Sequence, residues 1–160
     1  MTDKARVRPR IGDVVRIVDA SGAAAYAQYT HRHKMYGPLL RVLGPASAPA
    51  SIAGDTTAAE LAAMRTQFVT FFPLGAACHR GIAQIVGQAP VPAEAQSFPV
   101  FRATIRFPNG SGSHWLWDGD RQWRIDLLSQ EHRALPPRAI VNDTLLVERA
   151  HAGWRHEDEF

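Results

Sequence analysis

Two histidines near the start of the chain have the spacing of a metal-binding pair. His31 and His33 are separated by one residue, so on a β-strand both side chains would lie on one face and could bind one ion. Zinc needs at least a third protein ligand, which the neighbouring residues do not specify. Arg32 and Lys34 alternate with the histidines, a pattern that is equally typical of a basic, solvated hairpin tip. We therefore predict no metal site and no cofactor.

The single cysteine is the second candidate for chemistry. Cys78 precedes His79, but adjacent residues on a strand point to opposite faces, which is not the geometry of a nucleophile and its base. A helix beginning at residues 75–77 would lower the pKa of the thiol, whereas a buried thiol would fill a gap in the core. Neither a Gly-x-Ser-x-Gly motif nor a phosphate-binding glycine loop occurs. We therefore predict no catalytic residues and expect that the protein is not an enzyme.

Three tryptophans cluster in the second half of the chain. Trp115, Trp117 and Trp123 follow residues 101–107, in which arginine and threonine alternate with apolar residues. If the tryptophans share the arginine face, they form an exposed stripe that could stack on bases or anchor a protein partner. If they face the other way, they belong to the core, because tryptophan carries a large apolar surface.

The elements that must position these residues are mostly strands. Residues 11–18 and 23–29 are rich in β-branched and small residues and flank a turn at Asp19–Gly22, which predicts an opening hairpin. The remaining predictions are strands at 38–43, 67–72 and 82–86, a three-stranded meander over 101–125, a helix over 56–65 capped by Asp55, and a helix within 140–151 capped by Asn142 or Asp143.

Together these segments predict an α+β protein. We expect a strongly bent, mostly antiparallel sheet of about seven to eight strands with about two helices, and a barrel is the alternative. The 160 residues suffice for a single domain, 1–160, with a flexible arm at 1–10, a loop at 44–54 and a mobile tail at 156–160.

Composition excludes several classes of protein. A hydrophobic fraction of 46% with 21% charged residues is not that of a disordered chain. No apolar run approaches the roughly 18 residues of a membrane helix, and residues 1–10 have no apolar segment typical of a secretory signal, so we expect a cytoplasmic protein without membrane contact. The net charge of +3 is small and dispersed, so nucleic acid is an unlikely partner.

Several segments of the chain carry a family resemblance. They are Ile11–Ile17, residues 22–29 with Tyr26 at their centre, Ile82–Gly87 followed by Pro90, Pro92 and Phe98–Phe101, and more loosely Ile140–Leu146. In these segments the chain resembles the immunity protein 26 family of bacterial polymorphic toxin systems. The resemblance implies a cytoplasmic protein that binds and neutralises one cognate toxin domain and has no substrate of its own. On charge alone, a toxin with an acidic surface fits this mildly basic chain best.

The expected partner is therefore the C-terminal domain of a toxin, and the expected contacts are aromatic and basic residues. Tyrosine, tryptophan and arginine most often anchor protein interfaces. The predicted contact residues are Tyr29, His31, Arg32, His33, Tyr36, Trp115 and Trp117. In the alternative arrangement the tyrosine rings pack inward and only the histidine and arginine tips reach solvent. Two other functions remain open, a small basic nucleic-acid-binding β module and, last, a small hydrolase or metal enzyme that uses His31 and His33.

Overall fold

The computed structural model describes residues 7–44 and 56–159, and these contain eight strands and four short helices. The strands are β1 Asp13–Val18, β2 Ala24–His33, β3 Gly37–Gly44, β4 Arg65–Phe71, β5 Ala83–Gln88, β6 Phe101–Arg106, β7 Gly112–Trp117 and β8 Gln122–Ile125. The helices are α1 Ala58–Ala62, α2 Leu74–His79, α3 Gln130–Arg133 and α4 Asp143–His151. The α+β class is confirmed. The sequence misses α2 and α3 because six and four residues are too few for a helical period to show.

The strands form two antiparallel sheets instead of one bent sheet. The first has the order β4-β3-β2-β1-β5 and the second the order β6-β7-β8. Neither sheet closes on itself within the described residues, so the barrel alternative is wrong. Of the loop expected at 44–54 and the flexible arm expected at 1–10, residues 45–54 and 1–6 lie outside the described residues, as do the Asp55 cap and Phe160, whereas Gly44 ends β3. The cap that the structure does describe for α1 is Thr57, whose hydroxyl accepts a hydrogen bond from Glu60 N at 3.1 Å.

The main core lies between the five-stranded sheet and α4. Leu146, Val147 and Ala150 of α4 pack on the sheet residues that alternate along β1 to β4, which include Val15, Ile17, Ala25, Ala27, Leu40, Val42 and Phe68. Asn142 begins the helix, and its side chain accepts a hydrogen bond from Leu145 N at 2.8 Å, which confirms one of the two predicted caps. The opposite face of the sheet is partly covered by α1 through Leu61 and Ala62.

A β-bulge in β2 decides where the two histidines point. Tyr29 pairs with Leu40 and His31 pairs with Leu39, so Thr30 is the extra residue. Tyr29 and Leu40 belong to the main core, whereas Leu39 lies in a separate cluster on the other face. Strict alternation would place Tyr29, His31 and His33 together. Because of the bulge, the two histidines face the second sheet instead.

The second sheet packs on that same face of the first. Phe101 of β6 and Trp117 of β7 form a buried cluster with Leu39 and Phe71. The rings of Phe71 and Phe101 are stacked with their centroids 5.0 Å apart. This aromatic cluster fixes the end of the β6–β7–β8 meander against β3 and β4, whereas the far end of the meander extends beyond the first sheet, where Ile105 is half exposed.

The C-terminal segment 154–159 lies along the edge of β4. His156 Nε2 accepts a hydrogen bond from Val69 N at 3.0 Å, and its Nδ1 donates to Ala134 O at 3.0 Å. The buried Arg102 donates to His156 O at 2.6 Å, and Gln67 donates to Trp154 O at 3.2 Å. These hydrogen bonds connect residues 154–156 to the rest of the chain, and the mobility expected of residues 156–160 stays a prediction. Among the described residues, no helix has both the length and the apolar character needed to cross a membrane.

Candidate functional site

Two hairpin turns that are remote in sequence meet on one surface. The turn between β2 and β3 and the turn between β7 and β8 are joined by a hydrogen bond of 2.7 Å from His33 Nε2 to Gly119 O. Gly119 has a φ of +98°, and a Cβ at this position would approach Phe98 to 2.7 Å, so only glycine fits. We call the surface formed by residues 33–36, 117–122 and Arg138 the paired-turn surface.

His33 is the side chain that holds the two turns together. Its Nδ1 accepts hydrogen bonds from Met35 N at 3.1 Å and Tyr36 N at 3.3 Å. Since both backbone groups are donors, Nδ1 carries no hydrogen and Nε2 carries the one that Gly119 O accepts. The ring packs edge-on against Trp117, with centroids 4.8 Å apart. With both ring nitrogens engaged, His33 acts as a bridge within the protein.

His31 is engaged in a similar way. Its Nε2 lies 2.8 Å from Gln96 O, its Nδ1 lies 2.9 Å from Thr30 Oγ1, and its ring contacts Phe98 edge-on. The two histidines share a face, as the spacing predicts, but each is bonded to the backbone of a different loop. No group of three or more His, Cys, Asp or Glu side chains suited to a metal ion occurs in residues 7–44 and 56–159.

Arg138 completes the paired-turn surface. Its guanidinium carbon lies 4.1 Å from the centroid of the Trp117 ring and 5.2 Å from that of Tyr36. Its Nε donates to the Tyr36 hydroxyl at 2.8 Å, and its NH1 nitrogen donates to Gln122 Oε1 at 3.1 Å. Both acceptors are neutral. The described residues contain one ion pair, Arg149–Glu159, so no carboxylate of this part of the chain neutralises Arg138.

Exposed groups surround this arginine. A cavity of about 350 Å³ lies between the two turns and is lined by both of them and by Arg138. Met35 is 77% exposed at the tip of the first turn, and Lys34 beside it is also exposed. Asp120 supplies a carboxylate to the lining of the same cavity. The arrangement combines an apolar side chain, one further cation and one anion with a stacked guanidinium, which suits binding of another molecule.

The predicted contact residues divide between surface and core. Tyr29 is 5% exposed and packs in the main core, and Trp117 is 5% exposed beneath Arg138, so neither ring is a free anchor. Tyr36 is half-buried and offers its hydroxyl to Arg138, whereas Arg32 is exposed. This matches the arrangement in which the tyrosine rings pack inward. Trp115 is half-buried further along β7 and donates from its indole nitrogen to Ser113 Oγ at 3.0 Å.

The structure unites residues that the sequence separates. His33 and Tyr36 come from the first turn and Trp117 from the meander, and all three meet at Arg138. Sequence reasoning missed Arg138 because nothing in its neighbourhood except Pro136 and Pro137 is distinctive. Of the two arrangements left open for the tryptophans, the exposed stripe on the arginine face does not form with Trp115 and Trp117. Trp115 and Trp117 lie on the face of Phe101 and Ala103, and only Trp123, which is 40% exposed, shares a face with Arg102.

Two other side chains that could take part in chemistry, Cys78 and Asp118, have roles within the fold. Burial raises the pKa of the Cys78 thiol, and Cys78 lies near the end of α2, so the reading of a helix start that lowers its pKa is wrong. Backbone hydrogen bonds from Arg121 and Asp120 lower the pKa of Asp118, whose carboxylate shapes the β7–β8 turn.

A second cavity, of about 420 Å³, lies beside the C-terminal segment. Gln67 and His156 line it, and both are already bonded to backbone groups of the chain. These two side chains therefore connect the C-terminal segment to β4.

Comparison of the chain with protein-family models, with curated proteins and with solved structures finds no match. The paired-turn surface must therefore be interpreted from its own geometry.

Proposed function

We propose that this protein is an immunity protein that binds a cognate bacterial toxin domain through the paired-turn surface and thereby neutralises it. The proposal takes up the resemblance of the opening strand and of residues 82–101 to immunity protein 26. It replaces the buried Tyr29 and Trp117 as direct contacts by groups of the paired-turn surface, which are the exposed Met35 and Lys34 and the half-buried Arg138.

The observation that carries the proposal is the preorganisation of this surface. His33 bonds to Gly119 O, and Arg138 is stacked on Trp117 and bonded to Tyr36, so the two turns and the Arg138 guanidinium are held in place. Fixing side chains before binding reduces the entropy lost on association. Arginine beside tryptophan and tyrosine is also the combination found most often where interfaces carry their binding energy.

The test uses the toxin domain that such a system would encode. The C-terminal domain of a large secreted protein from a neighbouring reading frame is expressed in a bacterial host with and without this protein. We expect growth arrest without it, growth with it, and a stable complex of the two purified proteins. If the domain arrests growth and this protein neither binds it nor restores growth, the proposed function is wrong.

A pair of matched variants tests the surface itself. Met35→Asp introduces a charge at the paired-turn surface, and Leu127→Asp introduces the same charge at a side chain that is 83% exposed and outside it. We expect Met35→Asp to weaken binding at least about 30-fold and Leu127→Asp to change it less than about twofold. Equal effects of the two variants would place the interface elsewhere. Circular dichroism of both variants checks that the fold is retained.

One observation favours the nucleic-acid alternative. Trp123 is 40% exposed on the edge strand β8, between Arg121 and Arg124 in sequence, which is the composition of a base-stacking platform. Binding of a fluorescent single-stranded RNA at about 150 mM salt decides between the functions. Non-specific contacts give dissociation constants of about 10⁻⁴–10⁻⁶ M, so submicromolar binding that is lost in Trp123→Ala would favour this alternative.

A further inference from the structure

The guanidinium of Arg138 is placed to receive a negatively charged group. We propose that Arg138 binds a carboxylate, from an aspartate or glutamate side chain of the partner protein, in the cavity between the two hairpin turns. This inference rests on the proposed function and specifies the chemistry of the partner surface that the paired-turn surface recognises.

The hydrogen bonds of Arg138 leave donors available. A guanidinium has five N–H groups, and those of Arg138 make two hydrogen bonds to side chains, to the Tyr36 hydroxyl and to Gln122 Oε1. Three N–H groups therefore have no acceptor among the described residues. A carboxylate can accept two parallel hydrogen bonds from such a fork, and these charge-assisted bonds are stronger than bonds between neutral groups.

The same chain provides an internal example of this arrangement. Arg149 lies over the ring of Trp154 at 4.1 Å, the same distance that separates Arg138 from Trp117. Arg149 is bonded to the carboxylate of Glu159, with NH2 and Oε2 2.7 Å apart. The stacked arginine therefore accommodates a carboxylate without losing its contact with the indole. At Arg138 the aromatic support is present and the carboxylate is missing from residues 7–44 and 56–159.

The charges around the cavity favour a protein side chain over a nucleic-acid backbone. Lys34 adds a second cation to the lining, whereas Asp120 places a negative charge in the same cavity. A phosphate backbone carries closely spaced negative charges, and Asp120 would repel the neighbours of any phosphate bound at Arg138. A single carboxylate flanked by apolar residues would meet Arg138 and the exposed Met35 together and would bring only one negative charge near Asp120.

The experiment supplies Arg138 with a carboxylate of its own. Gln122→Glu replaces the neutral acceptor, 3.1 Å from the guanidinium, by an isosteric charged one and removes no contact. Gln84→Glu, at an exposed position of β5, adds the same charge outside the paired-turn surface. Binding of both variants, of Arg138→Gln and of the wild type is measured against the toxin domain defined above, between about 50 and 300 mM salt.

We expect Gln122→Glu to weaken binding at least about tenfold, Arg138→Gln at least about 30-fold, and Gln84→Glu less than twofold. The wild-type affinity should fall as salt rises, and that of Gln122→Glu should depend less on salt. Asp120→Asn should bind as tightly as the wild type or more tightly, because it removes a repulsive charge.

The outcomes separate the two proposals. If the wild type does not bind the toxin domain, the proposed function fails. If the wild type binds and both Gln122→Glu and Arg138→Gln bind within twofold of it, the proposed function stands and the carboxylate inference is wrong. If the wild type binds a 20-nucleotide RNA with submicromolar affinity that Gln122→Glu abolishes, Arg138 takes a phosphate and the inference is overturned.

Discussion

Two arginines are stacked on tryptophans at the same distance in two regions of this molecule, and within residues 7–44 and 56–159 only one of them forms an ion pair. Arg149 lies 4.1 Å above Trp154 and is paired with Glu159, whereas Arg138 lies 4.1 Å above Trp117 and contacts only neutral acceptors among the described residues. The same stacking of arginine on tryptophan therefore has two different roles. The Arg149–Glu159 ion pair holds the C-terminal segment, whereas Arg138 leaves a positive charge and hydrogen-bond donors at the surface.

The polar groups around Arg149 and around Arg138 also differ in how fully they are used within the chain. At the C-terminal segment, Gln67 donates to backbone carbonyls at the end of α4, and Arg102 donates to Leu135 O and His156 O. Polar groups there are used to satisfy carbonyls that would otherwise lack partners. At the paired-turn surface, polar groups are also fixed in place, but Lys34 and Met35 point to solvent. A candidate binding surface is therefore distinguished by fixed polar groups that still have unused hydrogen-bond donors and exposed neighbours. At the C-terminal segment the polar groups are used for contacts within the chain.

The largest expected effect separates the two tryptophans. Trp117 is 5% exposed and contacts the rings of Phe71, Phe98 and Phe101, so Trp117→Ala should lower the free energy of unfolding by about 3–5 kcal/mol. Trp154 is only partly buried, and Trp154→Ala should cost about 2 kcal/mol. Urea denaturation of the two variants measures the difference. Equal costs would show that the aromatic cluster beneath Arg138 is no more important than the C-terminal joint.

The next largest effect concerns the histidine that joins the turns. His33→Ala removes the hydrogen bond to Gly119 O and the acceptor for two backbone N–H groups, so we expect a loss of about 2 kcal/mol. His31→Ala removes one long-range hydrogen bond, to Gln96 O, and should cost about 1 kcal/mol. Amide spectra should show His33→Ala perturbing residues 117–122. If these resonances stay unchanged, the two turns are not coupled through His33.

Acid should loosen the C-terminal segment selectively. Burial lowers the pKa of His156 below its ordinary value of 6.5, against the opposite effect of its hydrogen bond to Ala134 O. Between the lowered and the ordinary pKa the unfolded chain binds more protons than the folded one, so stability is complete above about pH 6.5 and falls as the pH drops below it. Protonated Nε2 could no longer accept from Val69 N.

Thermal unfolding between pH 7.5 and 5 measures this dependence. The Tm of the wild type should fall more steeply with acid than that of His156→Gln, whose amide does not titrate in this range. Parallel curves for the two proteins would contradict the assignment of the acid sensitivity to His156.

The smallest effects come from changing the charge of the side chain that accepts a hydrogen bond from each stacked arginine. Glu159→Gln removes the negative charge of the Arg149–Glu159 ion pair. It should lower the free energy of unfolding by about 0.5 kcal/mol or less, because the Glu159 side chain is 37% exposed and solvent screens the pair. Gln122→Glu gives Arg138 a charged acceptor and should raise the free energy of unfolding by a similar amount. Precise urea midpoints on both variants test this symmetry. A loss of more than about 2 kcal/mol in Glu159→Gln would show that this pair does more than a surface ion pair.

Most of the strands could be predicted, because each is marked by its own residues and turns. The 13–18 and 24–33 hairpin, the strand at 83–88 and the 122–125 strand lie within a few residues of their predicted positions. The bulge at Thr30 could not be predicted, since no residue there demands one, and it moves His31 and His33 to the face opposite Tyr29. The partition into two sheets also depends on pairing between strands, which local sequence does not encode.

The candidate site was predicted in part. Tyrosine, histidine and tryptophan were chosen by their chemical type, and His33, Tyr36 and Trp117 do meet at one surface. Exposure was the part that residue type could not supply. Tyr29 and Trp117 carry large apolar rings; Tyr29 is buried in the main core and Trp117 between the two sheets, while Met35 is left exposed at the tip of its turn.

What the sequence determined by itself is local: the β-branched runs, the glycine turns and the Asn142 cap specify elements through backbone preferences that act over a few residues. Which elements become neighbours was decided by tertiary structure alone. Tyr36 and Arg138 are 102 residues apart in the chain, yet they share a hydrogen bond because Phe101 and Trp117 bury their rings against Leu39 and Phe71. The burial of apolar surface that joins the two sheets thus also creates the paired-turn surface, and no short stretch of sequence contains that information.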